Sequence, residues 1–286
     1  MTSFNEEAFL DKYKLGIIGC GNMGEAILKG VLDCSFLKPG EIVIYDKDMY
    51  REKYLENNYR VHIAEDISEL VRKGEYILLG VKPQDSRIVL EQVKINFNNR
   101  VNSIISIMAG VPTGYIEKIL NSNASVIRIM PNVPALFGKG MSAISRGKFA
   151  KESDLMFSEK LIGSVGDYVL VDEKYQNIAT ALNGSGPAYF FLFCKYLIDV
   201  GIKNGLDPEI SKKLVIETMI GAGVTIKKSE ENPDDLIKKV ASRGGTTEAA
   251  LEEFLKGGID NIIIRAVESA KKRACELEKS LYEENK

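Results

Sequence analysis

Lys14–Leu32 reads KLGIIGCGNMGEAILKGVL. Leu15, Ile17 and Ile18 spell a buried strand, the glycines after them a turn, and the residues from Met23 to Leu32 a helix. The turn carries G-x-G-x-x-G across Gly19, Gly21 and Gly24. In that pattern Gly19 permits the tight turn, Gly21 lets a pyrophosphate approach the backbone, and Gly24 lets helix and strand pack closely. The helix from Met23 aims unpaired N–H groups and the positive end of its dipole at such a phosphate, with Asn22 and Met23 beside it. Tight packing alone can use the same glycines, but the strand-to-helix setting favours a dinucleotide.

The surroundings repeat the unit. Strands are expected at Leu15–Ile18, Glu41–Tyr45, Tyr76–Val81, Val101–Ile107 and Ser125–Met130, with a short one near Val61–Ile63. Helices fall between them at Met49–Glu56, Ser68–Lys73, Asp85–Val93 and Thr113–Leu120. Several strands are near-continuous apolar runs, as strands covered on both faces are. The alternation implies an α/β, Rossmann-like, doubly wound and mainly parallel sheet. Met141–Ser145 and Tyr168–Val171 read as late strands flanking a helix at Glu152–Leu161.

After about Asp172 the strand signals stop. Lys174–Leu182, Pro187–Asn204, Pro208–Lys228, Pro233–Val240, Glu248–Leu255 and Ile259–Glu284 read as helices. Asp207-Pro208 and Asn232-Pro233 each place an N-cap before a proline suited to the first helical position. The expected division is therefore 1–172 for a nucleotide-binding domain and 173–286 for a helical one. Tyr189–Phe193, with Tyr196 and Leu197, is apolar on too many sides for a surface helix, which suggests burial within a domain or between subunits. The charged end, Glu278–Lys286, reads as a fraying helix terminus.

With 286 residues, 45% hydrophobic and 27% charged, the chain has the composition of an ordinary soluble protein. A net charge of −2 gives no drive toward nucleic acid or an anionic membrane. The start, MTSFNEEAFLDKY, lacks a basic region before an apolar core, and no apolar run reaches the ~18 residues of a membrane span. Cys20, Cys34, Cys194 and Cys275 are scattered, which fits reduced thiols in a cytoplasm. Cys20 reads as a small residue beside the ligand rather than a redox centre.

Candidate site residues follow the strands. Asp46 closes the second strand roughly 20 residues beyond Gly24, where an acidic residue accepts hydrogen bonds from the adenosine ribose and repels a 2′-phosphate. It leans the cofactor choice toward NADH, although a turn-forming aspartate is the ordinary alternative. Lys47 and Arg51 lie near enough to offer a phosphate some compensation. Val81-Lys82-Pro83 follows the next buried strand, and proline holds Lys82 extended. Ala109-Gly110 and Met130-Pro131-Asn132-Val133-Pro134 end later strands in the same way. Asn132 could donate to a substrate or nicotinamide, or hold its loop together. Asn183-Gly184-Ser185-Gly186-Pro187-Ala188-Tyr189 opens the apolar helix. In Ala241-Ser242-Arg243-Gly244-Gly245-Thr246-Thr247-Glu248, two glycines run into two threonines at a helix start, a nest of N–H groups suited to a small carboxylate or simply a well-capped helix.

No metal-ligand spacing stands out, and the single histidine, His62, reads as structural or surface. Oxidising an alcohol with NAD calls for a base. A protonated C=N is already an electrophile, so its reduction needs hydride, positioning and one weak donor.

Taken together these residues resemble pyrroline-5-carboxylate reductase, the last enzyme of proline biosynthesis. GCGNMG at Gly19–Gly24, VKP at Val81–Pro83, AGV at Ala109–Val111, MPNVP at Met130–Pro134, GSGPAY at Gly184–Tyr189 and GGTT at Gly244–Thr247 carry the likeness across nearly the whole chain. The resemblance implies NAD(P)H on the glycine turn and a helical domain interlocked with its twin in a homodimer, larger rings being left open. It implies that N–H groups of Gly244, Gly245 and Thr246 hold the substrate carboxylate and that the Thr247 hydroxyl reaches the ring nitrogen. Arg243 stands where the family's loop usually has proline, and Val133 where it usually has threonine. A reductase of a related cyclic imine acid and a non-catalytic NAD(P) sensor are the alternatives; a sensor needs no carboxylate nest.

Overall fold

The computed structural model describes residues 12–283. The expectations for the acidic start and for a fraying end beyond Glu283 fall on residues outside these. Eight strands form one sheet: β1 (Tyr13–Ile18), β2 (Ile42–Tyr45), β3 (His62–Ile63), β4 (Gly74–Leu79), β5 (Ser103–Ser106), β6 (Val126–Met130), β7 (Gly140–Arg146) and β8 (Gly166–Leu170). Their order is β3-β2-β1-β4-β5-β6-β7-β8. Every neighbouring pair is parallel except β6–β7, so β7 and β8 run against the first six strands.

The helices between the strands are α1 (Asn22–Asp33), α2 (Met49–Tyr59), α3 (Ile67–Lys73), α4 (Ser86–Asn96), α5 (Thr113–Leu120) and α6 (Glu152–Gly163). Each face of the sheet has its own core. Leu15, Ile17, Ile42, Ile44 and Leu78 pack on one side with Ile27 and Val31 of α1 and Leu161 of α6. Ile18, Val43, Ile77 and Leu79 face the other side with Leu70, Leu90 and Ile116. Successive residues of one strand thus feed opposite cores, which is why the strands read as unbroken apolar runs. The strand order reverses between β1 and β4, and in such sheets the crevice at the carboxyl ends of those strands takes the ligand.

The division of the chain differs from the expected boundary at 172. Among the described residues, one compact unit comprises 12–185 together with 270–283, and the other 186–269. Residues just after Asp172 belong to the sheet because their side chains are spent there. Glu173 accepts from the Thr113 N–H at 2.7 Å and pairs with the buried Arg128 at 3.2 Å. Gln176, fully buried, donates to the Ala143 carbonyl and the Ser145 hydroxyl. Leu281 joins the second core, and Tyr282 meets Tyr115 edge-on at 5.5 Å.

The expected helix at Lys174–Leu182 is also different. A short α7 (Gln176–Ala179) gives way to a π turn at Thr180–Gly184, closed by Ser185 N–H on the Thr180 carbonyl at 2.9 Å. Pro187 is the cause. It has no N–H to give the Asn183 carbonyl four residues earlier, and Asn132 Nδ2 donates to that carbonyl instead, at 3.1 Å.

The second unit holds α8 (Gly186–Lys203), α9 (Pro208–Lys228), α10 (Pro233–Val240), α11 (Thr246–Lys256) and the first part of α12 (Ile259–Glu283). Within 186–269 only Gly186, Cys194 and Ser211 are buried.

Candidate active site

The first unit has a cleft of ≈ 430 Å³ at the reversal of strand order. Gly19, Gly21, Asp46, Val81 and Lys82 all line it. The glycine turn is built as its pattern implies. Gly19 has φ +86, and a Cβ there would lie 2.7 Å from Val81 Cγ1 and the Val81 nitrogen. A Cβ on Gly24 would lie 2.8 Å from the Gly19 carbonyl oxygen, so the helix sits directly on the turn. Gly21 is different. Its φ of −63 suits any residue, and a Cβ there would meet nothing within 4 Å. Protein packing gives no reason for that glycine, and the open space at a cleft wall is what a closely seated ligand requires.

Gly21 is the N-cap of α1 and offers no side-chain cap. By contrast Asp48, Asp66, Asp207 and Asn232 cap α2, α3, α9 and α10 with their side chains. The first N–H groups of α1, at Asn22, Met23 and Gly24, are left for an anion. These residues fit a dinucleotide pyrophosphate.

Asp46 has two roles. Its Oδ2 accepts from the Cys20 N–H at 2.7 Å and its Oδ1 from the Asp48 N–H at 3.1 Å, so the turn-forming reading is realised. The same residue lines the cleft. Behind it, the buried Glu52 accepts from the Asp46 N–H at 2.9 Å, and burial pushes the Glu52 carboxyl up.

The expectation that Arg51 could compensate a phosphate needs correction. Its Nε donates to the Cys20 carbonyl at 2.7 Å, and its guanidinium is paired with Glu25. Lys47 bridges to Asp85 at 3.0 Å across the cleft wall. Lys82 is extended as proline requires, at ψ 144, and Pro83 starts a short turn after it. Ala109 and Gly110 lie in the turn after β5, outside the residues that line this cleft, and Gly110, at φ +74, faces Leu277. The Cys20 thiol is buried, and burial and then Asp46 push its ionisation far up, which leaves a neutral thiol beside the turn.

Asn132 takes the loop-holding role of the two left open by sequence. Its Oδ1 accepts from Met141 N–H at 2.9 Å while its Nδ2 holds the Asn183 carbonyl. Asn183 Nδ2 answers by donating to the carbonyls of Met130 and Met141. This reciprocal clamp fixes the end of β6 and the start of β7. Sequence spacing gives no sign of it, because the partners lie about 50 residues apart.

In the second unit, Gly245 is the N-cap of α11, again without a side-chain cap. Gly244 adopts φ +72, and its N–H is taken by Glu248 Oε2 at 2.6 Å. Gly245 N–H is used by the Ser242 carbonyl at 2.9 Å, so Gly245 shapes the loop rather than donating outward, a correction to its expected role. Thr246 and Thr247 open the helix behind them. Arg243 is exposed and has no ion pair among the described residues. His62 is exposed, its ring tilted against Tyr13 at 5.1 Å. Among the described residues no group of three or more His, Cys, Asp or Glu is placed to hold a metal ion. No described helix is long and apolar enough to cross a membrane.

Comparison with known proteins matches both units. Residues 173–277 match the family model of pyrroline-5-carboxylate reductase dimerisation, and residues 14–110 that of NADP oxidoreductase, coenzyme F420-dependent. The pyrroline-5-carboxylate reductase of Synechocystis is 38% identical over 93% of this chain and 98% of its own. The Plasmodium falciparum pyrroline carboxylate reductase, whose crystal structure has NADP bound, superposes with a TM-score of 0.84 at 30% identity, covering 94% of this chain and 99% of that one. The Coxiella burnetii pyrroline-5-carboxylate reductase gives 0.86 at 28% identity, covering 93% and 99%. With the glycine turn, the uncapped helix starts and these near-full-length matches in place, the chain belongs to the pyrroline-5-carboxylate reductase family.

Proposed function

We propose that the chain is an NAD(P)H-dependent oxidoreductase that reduces the C=N bond of 1-pyrroline-5-carboxylate to give L-proline, the final step of proline biosynthesis. One observation carries the substrate reading: the Glu248 carboxylate rests on Gly244 N–H at 2.6 Å. The loop before α11 thus already receives a carboxylate, and Glu248 stands in for the one the substrate brings. In the complex the substrate carboxylate takes that place, held by N–H groups of Gly244 and Thr246 and favoured by the helix start.

Gly19, Gly21, Asn22, Met23 and Gly24 hold the cofactor pyrophosphate, with Asp46 at the adenosine ribose and Val81, Lys82 and Pro83 along the far wall. Ala109 and Gly110 belong to the same strand-end surface. Bound there, the reduced nicotinamide supplies the hydride. The chain's own contribution is placement and electrostatics: the nest fixes the imino acid by its carboxylate, and the Thr247 hydroxyl holds the proton at the ring nitrogen. Asn132 acts through its loop. The working form is a homodimer, and four unpaired cysteines support a reducing, cytoplasmic setting.

The test is direct. Protein mixed with pyrroline-5-carboxylate and either NADH or NADPH should consume the reduced cofactor, read by absorbance. Cofactor binding without turnover would make the chain a sensor; turnover only with a six-membered imine acid would move the substrate. Thr247→Val keeps shape and removes the donor, so kcat/KM should fall roughly 5- to 150-fold, on the order of 1–3 kcal/mol, with cofactor affinity held. Wild-type kcat/KM in that variant would remove Thr247 from the site.

Both cofactors should work, with NADH preferred. The carboxylate of Asp46 repels a 2′-phosphate, and both cations on the β2 side are already paired, Lys47 with Asp85 and Arg51 with Glu25. Asp46→Ser should weaken both cofactors, because it removes the hydrogen bond that braces Cys20. The ratio of kcat/KM values isolates the repulsion and should move roughly tenfold toward NADPH, for ~1.4 kcal/mol relieved. An unchanged ratio would leave Asp46 as a turn residue alone.

A further inference from the structure

Arg51 sits in the first turn of α2, five residues past the strand-end carboxylate of Asp46. A cation in that region is what a 2′-phosphate calls for. Yet the guanidinium is held elsewhere. Its Nη2 pairs with Glu25 Oε2, its Nε donates to the Cys20 carbonyl at 2.7 Å, and it lies 5.3 Å from the Tyr54 ring centre. Glu25 is held on its other oxygen by the Tyr59 hydroxyl at 2.8 Å. Burial opposes the charge on Glu25, but hydrogen bonds from Tyr59 and Arg51 outweigh it and hold the carboxyl below its usual range. Burial, and then the bond to Glu25, push Tyr59 up to about 12. The pair is therefore charged and closed at neutral pH.

Cys20 ties this pair to the ribose-reading residue. Its N–H goes to Asp46 and its carbonyl to Arg51. Carboxylate and guanidinium grip the two polar backbone atoms of one residue in the glycine turn.

We propose that Glu25 is a cofactor-specificity residue: by holding Arg51 against the back of the glycine turn, it withholds from a 2′-phosphate a cation close to the end of β2. Glu25 needs no contact with the cofactor to do this. It acts through Arg51. The α1 helix thus carries both the pyrophosphate site at its first residues and, one residue past Gly24, the group that sets the choice between NADH and NADPH. This rests on the cofactor cleft proposed above.

The experiment titrates the full-length chain with NADH and with NADPH, following the fluorescence of the reduced nicotinamide. Glu25→Gln keeps an acceptor for Tyr59 but removes the charge that fixes Arg51. The Kd for NADPH should drop about five- to tenfold relative to that for NADH, and its salt dependence should steepen as a new phosphate contact forms. Arg51→Ala in that background should erase the gain. Arg51→Ala alone should leave the NADPH-to-NADH ratio where the wild type has it, since Arg51 is already withheld. That arm reads out even where Glu25→Gln fails to fold. A selective loss of NADPH binding in Arg51→Ala would show that Arg51 already serves the phosphate, and overturns the proposal. So would an equal weakening of both cofactors by Glu25→Gln, the mark of a plain brace for the turn. A wild type that binds neither cofactor removes the cleft and this proposal together.

Discussion

Gly21→Val should fold almost as the wild type does and lose about 100-fold in affinity for either cofactor, roughly 2.8 kcal/mol, the worth of one or two hydrogen bonds to a charged group. The structure separates the two effects. Gly21 has φ −63, outside the left-handed region that demands glycine, and a Cβ there would meet no atom within 4 Å. The only cost to the fold is a poorer residue at the N-cap of α1, about 1 kcal/mol, or a few degrees in Tm for a chain of this size. The added methyls project into the cleft, where the pyrophosphate must approach the backbone and the first N–H groups of α1. Gly19→Val makes the contrast. At φ +86, with Val81 atoms 2.7 Å from the new Cβ, it should break the turn and depress both stability and binding. Thermal unfolding and cofactor titration of the two variants check this. A Gly21→Val chain that binds NADH as tightly as the wild type would place the dinucleotide elsewhere.

The part of the molecule legible in the sequence is the part decided locally. The strand, turn and helix at Tyr13–Asp33 follow from apolar spacing and three glycines, and the helix starts at Pro208 and Pro233 from an Asp or Asn before proline. Buried parallel strands announce themselves because both faces are covered. What escaped the sequence is decided at a distance. Arg51 looked like a free surface cation because its partner Glu25 sits on another helix, 26 residues away. The sequence leaves Asn132 open between ligand donor and loop holder, because the Asn183 carbonyl it holds is freed by Pro187, far along the chain. The boundary at Asp172 marks where strands end and where the matching dimerisation family model begins, at 173, yet Glu173 and Gln176 still bond to the first unit. Glu248 was read as a residue of the capped helix, and its reach back to Gly244 shows only with the loop folded.

Assembly carries the largest expected effect. Within 186–269 the side chains that would form a core are on the outside: Phe190 is 63% exposed, Phe191 59%, Ile263 55% and Ile264 60%. A helical unit with this surface has no stable existence in water alone, since apolar faces of such extent mark an interface. The helical segment also matches a dimerisation family model. A second copy of the same unit would bring the same apolar faces, and a closed two-fold arrangement would use one surface on both partners. Every substitution in it therefore counts twice. Phe191→Ser removes ~2 kcal/mol of burial per copy, so about 4 kcal/mol per dimer and roughly 1,000-fold in the dimer Kd. Ile263→Ser should act in the same direction. Sedimentation at about 1 μM should show the wild type as a dimer and Phe191→Ser shifted toward monomer. Imine reduction should fall with the dimer fraction and recover as protein concentration rises. The helical unit should also lose protection from proteolysis in the variant, because its faces then stay exposed to water. A wild-type chain that sediments as a folded, fully active monomer at that concentration sinks the homodimer and returns the apolar faces of α8 and α12 to an unexplained feature of the surface.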